Sequence, residues 1–375
     1  MRKIYFIITN QNHHWQNVLP LIQELQSRGE RPVLISFCEL RRQRTPLEAC
    51  REAGIPVICP VPVIPGAKPS TGTVSLGKVG SGKREVLYTL MFYGLILPRL
   101  ALLFRRGDTV VHFNDFAFPG NYLTPWLRKK GVRQILLQEG IRFPLPQETE
   151  DYKYGTRGAD LICCWGEDAA QHFRKIAAAN TAVSITGSPR YQAIRNRVHE
   201  HDTQACIGIF TNSIDDQGFC SNKEKIRLFE NLVARLSDGL RVRKVKLLVK
   251  PHPREDREQY RKVLEKMDID WEFGNADIFE CIHQVQGGIV FASSVGLELL
   301  FLGKKLAQAE MPGFGFVFDY VHEQMALPVH TATPGVEILD YLLGMEKPEA
   351  KHYLSKHLNS ELDSQVLICD KIQAL

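Results

Sequence analysis

The chain has 375 residues, 44% of them hydrophobic and 24% charged, an ordinary globular balance with length enough for two cores. Its formal net charge of +5 suits an anionic substrate or an acidic membrane surface and falls short of the concentrated basic character of a nucleic-acid binder. Nine cysteines, an odd number without any Cys-x-x-Cys pair, argue against a disulfide framework and a structural zinc site. They predict a reducing, cytoplasmic setting.

Residues 3–9 form an apolar run that reads as a strand, with no signal peptide before it. A polar loop follows, carrying His13 and His14. The pair sits where a substrate could reach it, but solvated loop residues are the simpler expectation. Residues 18–28 have helical periodicity, closed by Gly29. Strands over 32–37 and 57–60 flank a helix near 47–53, and such alternation predicts a parallel sheet.

Residues 60–83 are rich in Pro, Gly, Ser, Thr and Lys and predict a loop. The stretch from Gly77 to Arg84 imitates a Walker A loop. No strand precedes it, and Arg84 stands where a Mg²⁺-binding hydroxyl is needed, so it is rejected. Residues 86–104 are the most apolar of the chain, followed by Arg105 and Arg106. Pro98 and Arg99 argue against a membrane span. A buried helix is expected, with peripheral contact at the inner face of the cytoplasmic membrane as the open alternative.

Further strands are expected over 109–113, 134–137, 160–165 and 183–186. They deliver Asp115, then Glu139 with Arg142 shortly after, then Gly187-Ser188-Pro189-Arg190 to the carboxyl edge. Residues 195–203 are polar and lack apolar periodicity, which sets a boundary between a first domain over 1–195 and a second over 204–375. The final helix of the second can fold back on the first. The second half restarts with a strand over 206–210 that ends at Asn212. The tail, 336–375, reads as helical.

The most informative stretch is the strand over 245–250, which ends at Lys250-Pro251-His252-Pro253. The two prolines lack N–H donors and restrict their predecessors, so the strand stops and His252 sits on a rigid corner. In open α/β sheets that edge binds ligands. A second strand, over 288–292, runs into Ser293 and Ser294 and then a helix carrying Glu298. Hydroxyls at a helix start favour an anion. An imidazole, two hydroxyls and a carboxylate suit a phosphate and a ribose. Glu139 in the first half is a candidate general base.

Lys250-Pro251-His252-Pro253 followed by Ser293-Ser294 resembles the HP and S/T motifs of bacterial sialyltransferases, polysialyltransferases and capsule Kdo transferases. Gln138-Glu139-Gly140 is similar to their acidic motif with Gln138 in place of the first acid. Gly187-Ser188-Pro189-Arg190 resembles a segment that also recurs in CDP-glycerol glycerophosphotransferases and UDP-GlcNAc 2-epimerases. The resemblance implies a GT-B fold, two Rossmann-like doubly wound domains facing a cleft, the first for the acceptor and the second for the donor. It implies inverting transfer of sialic acid or Kdo from a CMP-sugar to a hydroxyl of a surface glycan, such as a capsule polysaccharide or lipopolysaccharide, without metal or other cofactor.

The roles implied are Glu139 as base and His252 on the donor phosphate. Lys250, Pro253, Ser293, Ser294, Glu298, Asn212 and Ser188 fall in the donor site, and His13, Asp115 and Arg142 near the acceptor. A UDP-sugar or CDP-polyol donor, a UDP-sugar 2-epimerase and a non-catalytic nucleotide-binding protein remain the alternatives.

Overall fold

A computed structural model describes the chain except residues 1, 42, 62–81, 142–153, 196–204, 216–217, 276, 347 and 360. The chain divides into two compact units. Unit 1 comprises Met1–Phe143, Glu148–Asn196 and Ser355–Leu375, and unit 2 comprises Pro144–Gln147 and Arg197–Leu354. Most of the Walker-like stretch, and Arg142, lie outside the described residues.

Unit 1 is built on strands β1 (Ile4–Ile8), β2 (Val33–Ser36), β3 (Val57–Ile58), β4 (Thr109–His112), β5 (Arg133–Leu137), β6 (Leu161–Cys164) and β7 (Ala182–Ile185). They pair in parallel in the order β3-β2-β1-β4-β5-β6-β7. The strand period of two explains the two cores. Ile4, Phe6 and Ile8 of β1 join Val18, Leu21, Leu25 and Ile372 on one face. Tyr5 and Ile7 join Phe92, Ile96, Leu100 and Phe104 on the other. Each such fully buried side chain is worth roughly 1.5–3 kcal/mol over its exposed state.

The helices of unit 1 before the linker are α1 (His13–Ser27), α2 (Leu47–Glu52), α3 (Gly82–Met91), α4 (Leu97–Leu100), α5 (Gly120–Lys129), α6 (Glu167–Ile176) and α7 (Pro189–Arg195). A π-helical turn, Phe92–Ile96, joins α3 to α4. No helix among the described residues is long and apolar enough to cross a membrane.

Unit 2 repeats the plan with β8 (Cys206–Phe210), β9 (Lys246–Lys250), β10 (Trp271–Phe273), β11 (Gly287–Phe291), β12 (Lys305–Ala309) and β13 (Leu327–Val329). The order is β10-β9-β8-β11-β12-β13, again parallel. Its helices are α8 (Asn222–Arg243), α9 (Arg257–Leu264), α10 (Ile278–Gln284), α11 (Val295–Phe301) and α12 (Gly335–Leu343). Ser221 and Glu224 close a reciprocal capping box on α8, satisfying donors that the first turn leaves open. The three-residue strands β10 and β13 carry too little pattern to be read in the sequence. Pro328 is tolerated because β13 is an edge strand.

Helices α13 (Lys351–His357) and α14 (Ser364–Ala374) end the chain. Ile368, Cys369 and Ile372 of α14 enter the unit 1 core beside α1. Arg28 bonds Asp370 at 2.6 Å and Gln373 at 2.9 Å.

Candidate functional site

In each sheet the strand order reverses at one place, between β1 and β4 in unit 1 and between β8 and β11 in unit 2. Chains leaving neighbouring strands there run to opposite faces and open a crevice at the carboxyl edge. The candidate residues of each unit gather at its own crevice.

In unit 1 the helix α1 begins at His13, so the expected loop histidines sit on a helical first turn, and His14 is fully buried. His14 stacks on Phe113 with centroids 4.1 Å apart. Its Nδ1 accepts the backbone N–H of Thr9 at 3.1 Å. A nitrogen that accepts cannot carry the proton, so the neutral ring bears it on Nε2. That Nε2 donates to Oε1 of Glu139 at 2.8 Å. The other carboxylate oxygen, Oε2, accepts from Nδ2 of Asn114 at 3.2 Å. The Asn114 amide is itself fixed, since its Oδ1 accepts from the N–H groups of Phe116 and Ala117 at 2.9 and 2.7 Å. Both oxygens of Glu139 are therefore oriented, while its side chain keeps 20% exposure. His14 and Asn114 also line a cavity of about 20 Å³. That is room for a water-sized molecule and no more, so a larger molecule could meet Glu139 only from its exposed side.

Gln138 explains the departure from a paired-acid motif. Its Nε2 donates to the Gly140 carbonyl at 2.7 Å and its Oε1 accepts from Trp165 N–H at 2.7 Å. A carboxylate could accept but could not donate. Gly140 has φ of +101°, which an L side chain would strain.

Three expected positions are corrected. His13 is half-buried and lies 3.4 Å from Arg190. Burial, and then the Arg190 charge, push its imidazole down to about 3, so it is a neutral ring wedged against a guanidinium rather than a solvated loop residue. Asp115 was expected near the acceptor, but it is fully buried, and its oxygens accept the N–H groups of Gly155 and Arg157 at 2.8 and 3.0 Å. Ser188 was expected in the donor site. It is buried in unit 1, where its hydroxyl donates to Asn17 of α1 at 3.1 Å.

In unit 2 the corner after β9 is built around a residue that the sequence reading passed over, Glu255. One of its oxygens accepts from His252 N–H at 2.7 Å and from the Thr211 hydroxyl. The other accepts from Tyr260 at 2.7 Å and lies 3.1 Å from the Lys225 ammonium. Glu255 N–H returns to the His252 carbonyl at 2.9 Å. A glutamate three residues after a turn residue is the signal that could have found it. Burial alone would lower Lys225, but Asp215 and Glu255 overcome it and hold the ammonium above the usual lysine value.

His252 Nδ1 accepts the Arg254 N–H at 3.2 Å and is 2.8 Å from the Ser213 hydroxyl. By the same tautomer argument the hydroxyl donates and the neutral ring carries its proton on Nε2. Asn212 ties this corner to the next: its Nδ2 donates to Ala292 O at 2.7 Å. Ala292 itself has φ of +40°, a conformation that non-glycine residues hold only when their surroundings impose it. Ser293 is buried, and its Oγ accepts from Val295 N–H at 3.3 Å. Ser294 is exposed at the start of α11. That helix has seven residues, so hydroxyls and N–H groups matter more there than a macrodipole.

Gly296 lets α11 approach Tyr320, whose ring would lie 2.6 Å from an added Cβ. Glu298 is buried at 5% exposure. Lys250 turns its stem toward Gly274, and burial draws its ammonium below the usual lysine value. Pro253 is exposed on the corner.

No protein-family model matches the sequence, and no curated protein matches it. Solved structures do. One is MnaA of S. aureus with UDP, at 16% identity and TM-score 0.64, covering 100% of this chain and 96% of that one. Another is the Methanocaldococcus jannaschii UDP-GlcNAc 2-epimerase in complex with UDP-GlcNAc and UDP, at 12% identity and TM-score 0.60, covering 100% of both chains. A third is WaaG, a glycosyltransferase involved in lipopolysaccharide biosynthesis, at 12% identity and TM-score 0.55, covering 99% of this chain and 100% of that one.

Such identities carry the fold alone. The fold is GT-B: two Rossmann-like parallel-sheet domains in tandem. MnaA and the Methanocaldococcus jannaschii epimerase were solved with UDP, and none of the three is described as a sialyltransferase or Kdo transferase. The CMP-sugar specificity expected from the short motifs finds no support among them.

Proposed function

We propose that the chain is a nucleotide-sugar-dependent glycosyltransferase that inverts the sugar it moves. In unit 2 the Nε2–H of His252 and the hydroxyls of Ser293 and Ser294 are donors of the kind that hold a phosphate, and Glu298 is assigned to the ribose. In unit 1 Glu139 takes the proton of an acceptor hydroxyl as its oxygen attacks the anomeric carbon. The bond from that carbon to the phosphate breaks, and the nucleotide leaves with the electron pair. Its new negative charge falls to the imidazole and the hydroxyls, with no metal required. Peripheral reach to a glycan or glycolipid acceptor belongs to the same reading. UDP in the neighbouring structures favours a uridine donor over the cytidine donor of the sialic acid and Kdo reading.

The observation that carries this is the carboxylate of Glu139, held on both oxygens by His14 and Asn114. A base fixed in one rotamer loses little entropy in the transition state. A UDP-sugar 2-epimerase is the second reading, favoured by the neighbour of that name. It needs a further acid near the sugar, and Asp115 is occupied by backbone N–H groups.

The test is titration with UDP, CDP, CMP and GDP, then incubation with UDP-GlcNAc without acceptor. The expected result is UDP binding that His252→Ala weakens, with no change at C2 of the sugar. Release of the C2 epimer would select the second reading, and failure to bind any nucleotide would exclude both.

A further inference from the structure

The segment from α3 to α4 has two apolar sides where one is needed. Phe92, Ile96, Leu100 and Phe104 recur every fourth residue and are all buried in unit 1. A straight α-helix turns 3.6 residues per turn, so a four-residue repeat would drift off the core. The wider π-helical turn at Phe92–Ile96 takes up that drift and keeps the ridge seated. The opposite side carries Val86, Leu87, Leu90 and Tyr93, at i, i+1, i+4 and i+7, and each is more than half exposed. Leu90 reaches 65% and Leu102, in the turn after α4, 93%.

Burying these residues in unit 1 is not open to the chain, because the core is already filled from the other side. Their charges are one-signed. From Val86 to Gly107 the sequence has three arginines, Arg99, Arg105 and Arg106, and no acid. All three arginines are exposed. Asp108, which follows the stretch, is buried and accepts the N–H groups of Lys3 and Arg105 at 2.9 and 2.8 Å. Glu85, which precedes it, is outnumbered by the adjacent Lys83 and Arg84 in the sequence.

We infer that this face docks on an anionic lipid surface. The leucines, the valine and Tyr93 enter the interface between headgroups and acyl chains, and Arg99, Arg105 and Arg106 meet lipid phosphates. An amphipathic helix with an apolar side and basic flanks lies in the interface plane without spanning it. Anionic lipid adds to the apolar term through each basic residue near the surface, and salt screens that part. A protein partner with an acidic groove would suit the charges, but the long flexible leucines match a fluid phase.

The experiment is flotation of the full chain with vesicles of phosphatidylcholine alone and of phosphatidylcholine with phosphatidylglycerol. Flotation with the anionic vesicles, weak flotation with the neutral ones and release by salt are expected. Leu90→Glu and the double change Arg105→Glu/Arg106→Glu should each cut partitioning about tenfold or more with unchanged thermal melting, since all three positions are exposed. Absence of flotation with anionic vesicles, or variants that float like the parent, would overturn the inference. So would a dimer in sedimentation velocity that Leu90→Glu dissociates, because a second copy would then be the occupant.

Discussion

The Nε2–H of His14 donates to Oε1 of Glu139 at 2.8 Å, joining residues 125 positions apart in the sequence. The bond is made at the switch point of the first sheet, where the first turn of α1 and the end of β5 converge. His14 is itself held by Thr9 N–H, so the imidazole has one orientation and imposes it on the carboxylate.

Glu139→Gln keeps the shape and one of the two accepted hydrogen bonds and removes the basicity. Transfer should fall by about 10²–10⁴-fold while nucleotide affinity stays unchanged. Single-turnover rates beside calorimetric titration will separate the two. Wild-type transfer by this variant would move the base elsewhere.

His14 is a positioning residue, and its removal should act on kcat rather than on nucleotide affinity. His14→Ala leaves Oε1 without its donor, and transfer should drop about 10–100-fold. His14→Gln restores an N–H donor and should recover part of the loss. A purely structural role would show equal loss in both variants, together with lower melting temperatures.

His252→Ala removes the proposed phosphate donor and should cost about 2–4 kcal/mol in kcat/KM. Ser213→Ala leaves the ring in place but frees its tilt, and should cost less. Steady-state kinetics with the nucleotide sugar that binds best decides this. Equal kinetics for parent and His252→Ala would take the imidazole out of the site.

Glu255→Gln breaks a buried pair with Lys225 whose side chains are 5% and 1% exposed. Leaving that ammonium with Asp215 alone should destabilise the fold by about 3–5 kcal/mol. Urea denaturation would show it as a lower midpoint with unchanged slope. A midpoint like the parent's would mean that the pair adds nothing to stability.

The depressed His13 pKa makes stability depend on acid. The unfolded ring protonates near 6.5 and the folded ring near 3. Between those values the unfolded state binds the extra proton, so stability falls as pH drops through that window. His13→Gln should flatten the slope by about one proton. Chemical denaturation from pH 7 to 4 measures it, and an identical slope in the variant would place the titrating group elsewhere.

Much of this protein is determined by its sequence alone. Alternating apolar runs and helical periods specify two parallel α/β halves, because strand and helix periods are local properties of the chain. Lys250-Pro251-His252-Pro253 ends a strand by itself, since proline lacks the N–H that a ladder needs. Glu139 and His252 are marked by their places at strand ends. Only the tertiary structure decided which neighbours they meet. His14 looked like loop because a polar first turn has no apolar period, and its bond to Glu139 spans four strands' worth of chain. Asp115 and Ser188 had the right chemistry at the right edge, yet backbone N–H groups and Asn17 claim them. Glu255 carries no apolar signal at all, and its weight comes from the four groups that converge on it. Periodicity is written residue by residue, whereas the partner of a buried polar atom is fixed only when distant segments close around it.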